Sequence, residues 1–130
     1  MATIPVTITP ALDNAGGVIT GAFVAKWATM ANGDVGEPIN IPNYRDKAVQ
    51  VKGTFGAGGS VAVEGSNVAG STTNGDYATL NTVGGTALAI TAAGIKNVGE
   101  DPLRIRPHVT AGDGTTALDV IMIYSSTARR

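Results

Sequence analysis

A chain of 130 residues with a formal charge of −1 is the size of one domain, and it is neither a basic nucleic-acid coat nor an acidic, disordered solvating chain. It has no Cys and a single His, His108. That excludes disulfides, thiolate metal sites and Cys nucleophiles, and leaves little room for a His-based metal site or a Ser-His-Asp triad.

Val, Ile and Thr make up 39 residues, against 5 Leu, 4 Lys, 3 Glu and 1 Gln. Strand formers therefore far outnumber the long unbranched helix formers. Eighteen Gly and six Pro break the chain at short intervals, as many short strands and tight turns require. Charged residues are 15% of the chain, below the usual quarter. Such a composition fits a compact β protein or a subunit with faces covered by partners.

In chain order, Ile4, Val6 and Ile8 alternate with Thr3, Thr7 and Thr9, a period-2 strand. Pro5 places it at a sheet edge or in an extended arm. Residues 10–17 form a turn or loop. Residues 18–30 fit two readings. As a strand, Phe23, Ala25 and Trp27 share a face; as a helix, Phe23, Trp27 and Met30 fall at i, i+4, i+7. The β character of the rest favours strand. Residues 32–37 are a polar Gly-rich loop, 38–42 a short extended piece, and 43–47 a charged, exposed stretch.

Residues 48–55 alternate cleanly, with Val49, Val51 and Phe55 inward. Residues 56–59 are a Gly-rich turn, and 60–66 return with Val61 and Val63 inward. Together they predict a β-hairpin. Residues 67–76 form a Ser/Thr/Asn/Gly loop that is expected to be mobile. Short strands follow at 77–80, 86–91 and 94–99. Residues 103–111 set Leu103, Ile105 and Val109 on one face and Arg104, Arg106 and His108 on the other. After a Gly-Asp-Gly turn, 115–124 run back with Leu118, Val120, Met122 and Tyr124 on one side. Ile121 and Ile123 lie opposite. A strand that is apolar on both faces is central in a sandwich or is covered by a partner.

About nine strands at this spacing predict an all-β fold, an antiparallel β-sandwich of jelly-roll type with an extended N-terminal arm. The expected division is arm and loop 1–17, body 18–124 and polar tail 125–130, within a single domain 1–130. Residues 1–10 have neither the basic nor the apolar region of a signal peptide. No run approaches the 18 apolar residues of a membrane span.

The chemistry-bearing residues point to few sites. Gly53–Gly59 lacks the Lys and the following helix of a phosphate loop, so a turn is expected. Glu100-Asp101 and Asp113 sit in turns, where Asp and Gly serve the backbone, and no carboxylate pair is spaced for acid/base work. Nor do Asp34, Asn74 and Asp76 form a calcium loop. No catalytic, cofactor-binding or metal-binding residue is expected. Arg104, Arg106 and His108 form a cationic row that is either solvated or partner-facing; with three positive groups and no interleaved aromatics it is a poor nucleic-acid surface. Trp27, Tyr44, Tyr77 and Tyr124 could form a sugar-binding platform; of these Trp27 reads rather as core, and Tyr44 is the better exposed.

Residues 48–67 (AVQVKGTFGAGGSVAVEGSN) and 103–122 (LRIRPHVTAGDGTTALDVIM) resemble small β proteins of tailed-bacteriophage virions, similar to capsid decoration or cement proteins. The two runs cover 40 residues. The resemblance implies a non-enzymatic protein that binds the outside of the assembled capsid and stabilises it by mass action. Its partners would be the major capsid protein and itself, as a homodimer or homotrimer, with no nucleic acid, membrane or small-molecule substrate. It would reside on the virion surface after synthesis in the host cytoplasm. The expected contacts are Ile4, Val6 and Ile8 of the arm, Tyr44, the row Arg104, Arg106 and His108, and Met122 and Tyr124 of the last strand. The alternatives are another virion subunit (tail, head-fibre or connector) and a carbohydrate-binding module.

Overall fold

The computed structural model describes residues 2–126. Twelve strands form two sheets that pack as an open sandwich. They are β1 (Thr3–Ile4), β2 (Val6–Leu12), β3 (Val18–Met30), β4 (Val35–Gly36), β5 (Ile39–Asn40) and β6 (Asp46–Thr54). The others are β7 (Ser60–Ser66), β8 (Ala78–Thr79), β9 (Ala89–Ile90), β10 (Gly94–Asn97), β11 (Arg104–Ala111) and β12 (Ala117–Ser125). One five-stranded sheet has the order β10-β6-β12-β3-β2. The other runs β1-β4-β11-β7-β8, with β5 beside β11 and β9 beside β7. The single helical turn is Asn74–Asp76, among the described residues. No described helix is long and apolar enough to cross a membrane.

Residues 18–30 are a strand, the reading that the β composition favours. The count exceeds nine because several ladders are only two residues long. Of the polar tail, Ser125 ends β12, and residues 127–130 lie outside the described residues.

Two expected reversals of the chain are corrected. β6 and β7 do not form a hairpin with each other; β6 pairs with β12, and β7 pairs with β11. Likewise β11 and β12 lie in different sheets. The pairing runs Asp46↔Ser125 through Thr54↔Ala117, then Ser60↔Ala111 through Ser66↔Arg104. The two segments thus form one long antiparallel ribbon, bent over at residues 55–59 and 112–116 so that each half enters a different sheet. A Gly-rich spacer between alternating strands has the same pattern whether it closes a hairpin or turns a corner. The distant partner strand decides.

Asp113 ties the corner together. Its Oδ1 accepts from the Thr115 N–H (2.8 Å) and hydroxyl (2.6 Å), and its Oδ2 accepts from the Ala57 N–H (2.9 Å). Thr116 Oγ1 donates to the Phe55 carbonyl at 2.8 Å. Both bends are therefore held by one carboxylate and its neighbour. Gly56 takes φ +75° inside this corner, a conformation that glycine adopts without steric cost.

These hydrogen bonds, the Thr115 hydroxyl first and the Ala57 N–H next, lower the Asp113 pKa from 3.8 to about 2. A depressed folded-state value gives stability that is full above the unfolded pKa and is lost as pH falls through the folded one. The corner is expected to loosen between about pH 4 and pH 2. Urea midpoints measured across this window should fall more steeply for the parent than for Asp113→Asn. Equal slopes would remove Asp113 from the acid response.

Inside the sandwich, Ala25, Trp27, Val49, Val51, Leu118, Val120 and Met122 of the five-stranded sheet meet Val61, Val63, Ile105 and Val109 of the other. Leu80, Leu88 and Ile90 close the core from the 78–90 segment. Trp27 is fully buried, and its indole N–H donates to the Glu37 carbonyl at 3.0 Å. Gly36 sits where a Cβ would lie 2.5 Å from the Pro107 ring, so the close approach of β4 requires glycine.

The segment read as an extended arm is built into both sheets. β1 pairs in parallel with β4, through Thr3↔Val35 and Ile4↔Gly36. The Val35 N–H donates to the Ala2 carbonyl (3.0 Å), and the Glu37 N–H to the Ile4 carbonyl (2.8 Å). After Pro5 the chain passes to the other sheet, where β2 pairs with β3. Its own sandwich thus supplies the strand pairing that a free arm would seek in a neighbour.

Candidate binding surface

Alternation along β11 points Arg104, Arg106 and His108 to the outer face of the seven-stranded sheet, as the sequence predicts. There they are covered. Residues 67–76, expected to be mobile, are fastened over them by two of these side chains, Arg104 and Arg106. Arg106 is 1% exposed. Its Nε bonds Glu64 Oε1 (3.1 Å), one terminal nitrogen bonds Asn74 Oδ1 (2.8 Å), and its carbon lies 3.8 Å from the centre of the Tyr77 ring. Arg104 donates to Asn40 Oδ1 (2.9 Å) and the Ser71 carbonyl (2.6 Å). His108 Nδ1 lies 3.0 Å from Glu64 Oε2. Glu64 is the residue that the sequence reading passed over. It sits on β7 opposite Arg106, so it holds two members of the row at once.

Of the aromatic and apolar candidates, Ile8 stays exposed on β2, and the others turn inward. Met122 and Tyr124 are buried on β12, and Ile4 and Val6 pack against the core. Tyr44 is half-buried in an aromatic cluster, 4.9 Å edge-on to Tyr124, while Phe23 stacks on Tyr124 at 5.8 Å. Burial, with the nearby Tyr44, raises the Tyr124 phenol above its ordinary pKa. Tyr77 lies under Arg106. Of the stretch 43–47, Lys47 is buried rather than exposed. Its ammonium pairs with Asp101 and donates to the Tyr44 carbonyl at 2.8 Å. A buried ammonium needs such partners. Among the described residues, no buried side-chain nitrogen or oxygen lacks a hydrogen-bond partner.

The five-stranded sheet differs. Its register aligns Ile95, Gln50, Ile121, Lys26 and Thr7 in one row and Asn97, Ala48, Ile123, Val24 and Thr9 in the next. Alternation puts both rows on the face opposite Trp27, Val49 and Met122. Ile121, Ile123 and Val24 are half-buried, and none belongs to the core or packs against it. Lys26 and Asp119 lie 4.0 Å apart at the margin of this face. A shallow depression of ≈ 490 Å³, lined by Ile4, Pro5, Thr7, Lys26 and Ala28, borders it. The signal for this surface was present in the sequence as the second apolar side of residues 115–124. The outward residues of that strand are Ile121 and Ile123, not Met122 and Tyr124.

The two outer faces of the sandwich are therefore unlike. One is polar and fastened under a loop; the other carries aliphatic side chains outside the core. The second can bury apolar area against a partner without breaking internal bonds. Among the described residues, no three His, Cys, Asp or Glu side chains are grouped to hold a metal ion. Comparison with family models, curated proteins and solved structures gives no match to this chain.

Proposed function

We propose that this protein is a non-enzymatic structural subunit of a tailed-phage virion, of the decoration type. In this reading it binds the outer surface of the assembled shell through the major capsid protein, after synthesis in the host cytoplasm. The observation that carries the docking face is the outer side of the five-stranded sheet, with Ile121, Ile123 and Val24 outside the core. The cationic row is a weaker choice, because Arg104, Arg106 and His108 already have partners within the chain. A sugar platform is weaker too, since Trp27, Tyr44 and Tyr77 are engaged in the core, the aromatic cluster and the Arg106 stack.

The jelly-roll description belongs to the same proposal. Its support is the bent ribbon of β6–β7 against β12–β11, the wrapping by which an antiparallel ribbon forms two facing sheets.

Purified protein should sediment with expanded phage capsids at a fixed copy ratio. The double variant Ile121→Thr, Ile123→Thr keeps β-branched residues and removes apolar contact area. At roughly 1–2 kcal/mol of lost contact, capsid affinity should drop about tenfold, with little change in melting temperature. Parent protein that stays in the supernatant removes the capsid reading. Unchanged affinity of the variant moves docking to another face.

A further inference from the structure

The chain holds two Asn-Gly pairs, Asn32-Gly33 and Asn74-Gly75. Such a pair can modify itself, because glycine has no side chain to keep its backbone nitrogen away from the asparagine amide. The glycine N–H gives its proton to a solvent base, and the nitrogen bonds to the asparagine Cγ. Nδ2 takes up a proton and leaves as ammonia, closing a succinimide ring. Water then adds to one ring carbonyl and breaks its bond to the ring nitrogen, which recovers a proton. The product is Asp, or isoaspartate when the other carbonyl is opened.

The fold treats the two pairs differently. The Gly33 N–H donates to the Val109 carbonyl at 3.0 Å, so this nitrogen must leave its bond to the sheet before it can attack. Asn32 Nδ2 donates to the Gly112 carbonyl at 3.3 Å. That amide is held by its nitrogen, the atom that has to depart.

Asn74-Gly75 lies in the helical turn Asn74–Asp76, where both residues are exposed. A Cβ on Gly75 would meet nothing within 4 Å, so solvent base reaches this peptide. The turn is three residues long and Thr73 gives it no side-chain cap, so little holds the backbone against the rotation that brings the nitrogen onto Cγ. The Asn74 amide is held by its oxygen instead. Oδ1 accepts from Arg106 at 2.8 Å, and Arg106 is 1% exposed and fixed on the sheet by Glu64. A guanidinium on the amide oxygen draws electron density from Cγ and stabilises the negative charge that the oxygen gains as the ring closes.

We propose that Asn74 is a self-modification site, with Arg106 as its activating group. Opening of the ring to Asp sets a second carboxylate against Arg106, beside Glu64. A neutral contact that helps to hold this segment to the sheet then becomes an ion pair without any enzyme. The inference stands apart from the capsid reading, because it concerns the chain alone.

The test is to age the purified protein in mildly alkaline buffer and follow both Asn-Gly peptides by mass spectrometry, which separates an amide from a carboxyl. Asn74 should lose its amide about tenfold faster than Asn32, and in urea, where no fold distinguishes them, the two rates should converge. Gly75→Ala places its methyl group in open space and should slow the Asn74 reaction about tenfold. Arg106→Met should slow it as well, although it loosens the segment; circular dichroism checks that each variant is folded. Native protein that keeps the Asn74 amide, or loses it no faster than that of Asn32, overturns the proposal. So does an unchanged rate in Gly75→Ala, which would mean that water hydrolyses the amide directly. An unchanged or faster rate in folded Arg106→Met overturns the activating role, because mobility alone would then control the reaction.

Discussion

Deleting residues 2–9 should unfold the domain rather than trim an arm from it. The deletion removes β1 and four of the six β2–β3 pairs. It takes away the carbonyls of Ala2 and Ile4 that satisfy the Val35 and Glu37 N–H groups, and the Val6 N–H that donates to Glu37 Oε1 at 3.0 Å. Ile4 and Val6, which pack against the core, go with it. Val6 pairs directly with Trp27, the largest fully buried side chain. Two apolar side chains at about 1.5–3 kcal/mol each and several backbone hydrogen bonds at about 1 kcal/mol each approach the whole stability of a typical domain. Thermal unfolding followed by circular dichroism should lose its cooperative transition in the truncated protein. A truncated chain that still melts cooperatively near the parent temperature would show that this segment is an appendage after all.

Glu64→Ala should be the most damaging single substitution on the polar face. Arg106 is 1% exposed, and among the described residues Glu64 is its only carboxylate partner, at 3.1 Å. Removing Glu64 leaves a guanidinium buried without its counter-charge, which typically costs about 3–5 kcal/mol. Asn74, the Thr72 carbonyl and the Tyr77 ring stay in contact with Arg106 but carry no negative charge. Residues 72–77 are expected to loosen at the same time, because Arg106 holds Thr72, Asn74 and Tyr77, while Arg104 keeps its bond to the Ser71 carbonyl. Arg106→Met removes the charge and fills part of the volume, so it should be milder. In a double-mutant cycle, adding Arg106→Met to Glu64→Ala should recover part of the loss, as measured by urea unfolding. Additive losses would mean that the ion pair contributes nothing beyond its separate residues.

The elements of this protein are mostly local in origin. Alternating Val and Ile at 49–51, 61–63 and 118–122 makes strands wherever the chain goes, and the side that becomes core follows from the same period of two. The paired strands could not be read in that way. The expected 48–66 hairpin rested on a Gly-rich spacer, and the spacer turned out to be a corner. What bends the ribbon there is Asp113, more than fifty residues further on, holding the Ala57 N–H.

The candidate site divides along the same line. The cationic row was legible as a row, because alternation places Arg104, Arg106 and His108 together. Its covering by residues 67–77 was not, since a Ser/Thr/Asn/Gly segment has no apolar pattern to announce where it packs. Only the arrival of Glu64 across β7 and Tyr77 from the loop turns the row inward. The outer apolar face was half legible. Ile121 and Ile123 declared a second apolar side, but their neighbours Val24 and Ala48 come from strands that only the fold sets beside them.

By itself, then, the sequence determined an all-β chain, the positions of its longer strands and their inward faces, because these depend on backbone propensity and on neighbours two residues apart; the two-residue strand Val35–Gly36 lies where a polar loop was expected. The tertiary structure decided which strands pair, that residues 2–9 are built into the sheets and that the cationic row is partnered within the chain, with Arg106 buried and Arg104 and His108 half-buried. It also set Val24 beside Ile123 and Ile121 on one outer sheet face. Those outcomes depend on contacts between residues 30 to 90 positions apart, as in Ala2 with Asp34 and Thr29 with Asp119. Closing such distant contacts is a property of the whole folded chain, and no local pattern encodes it.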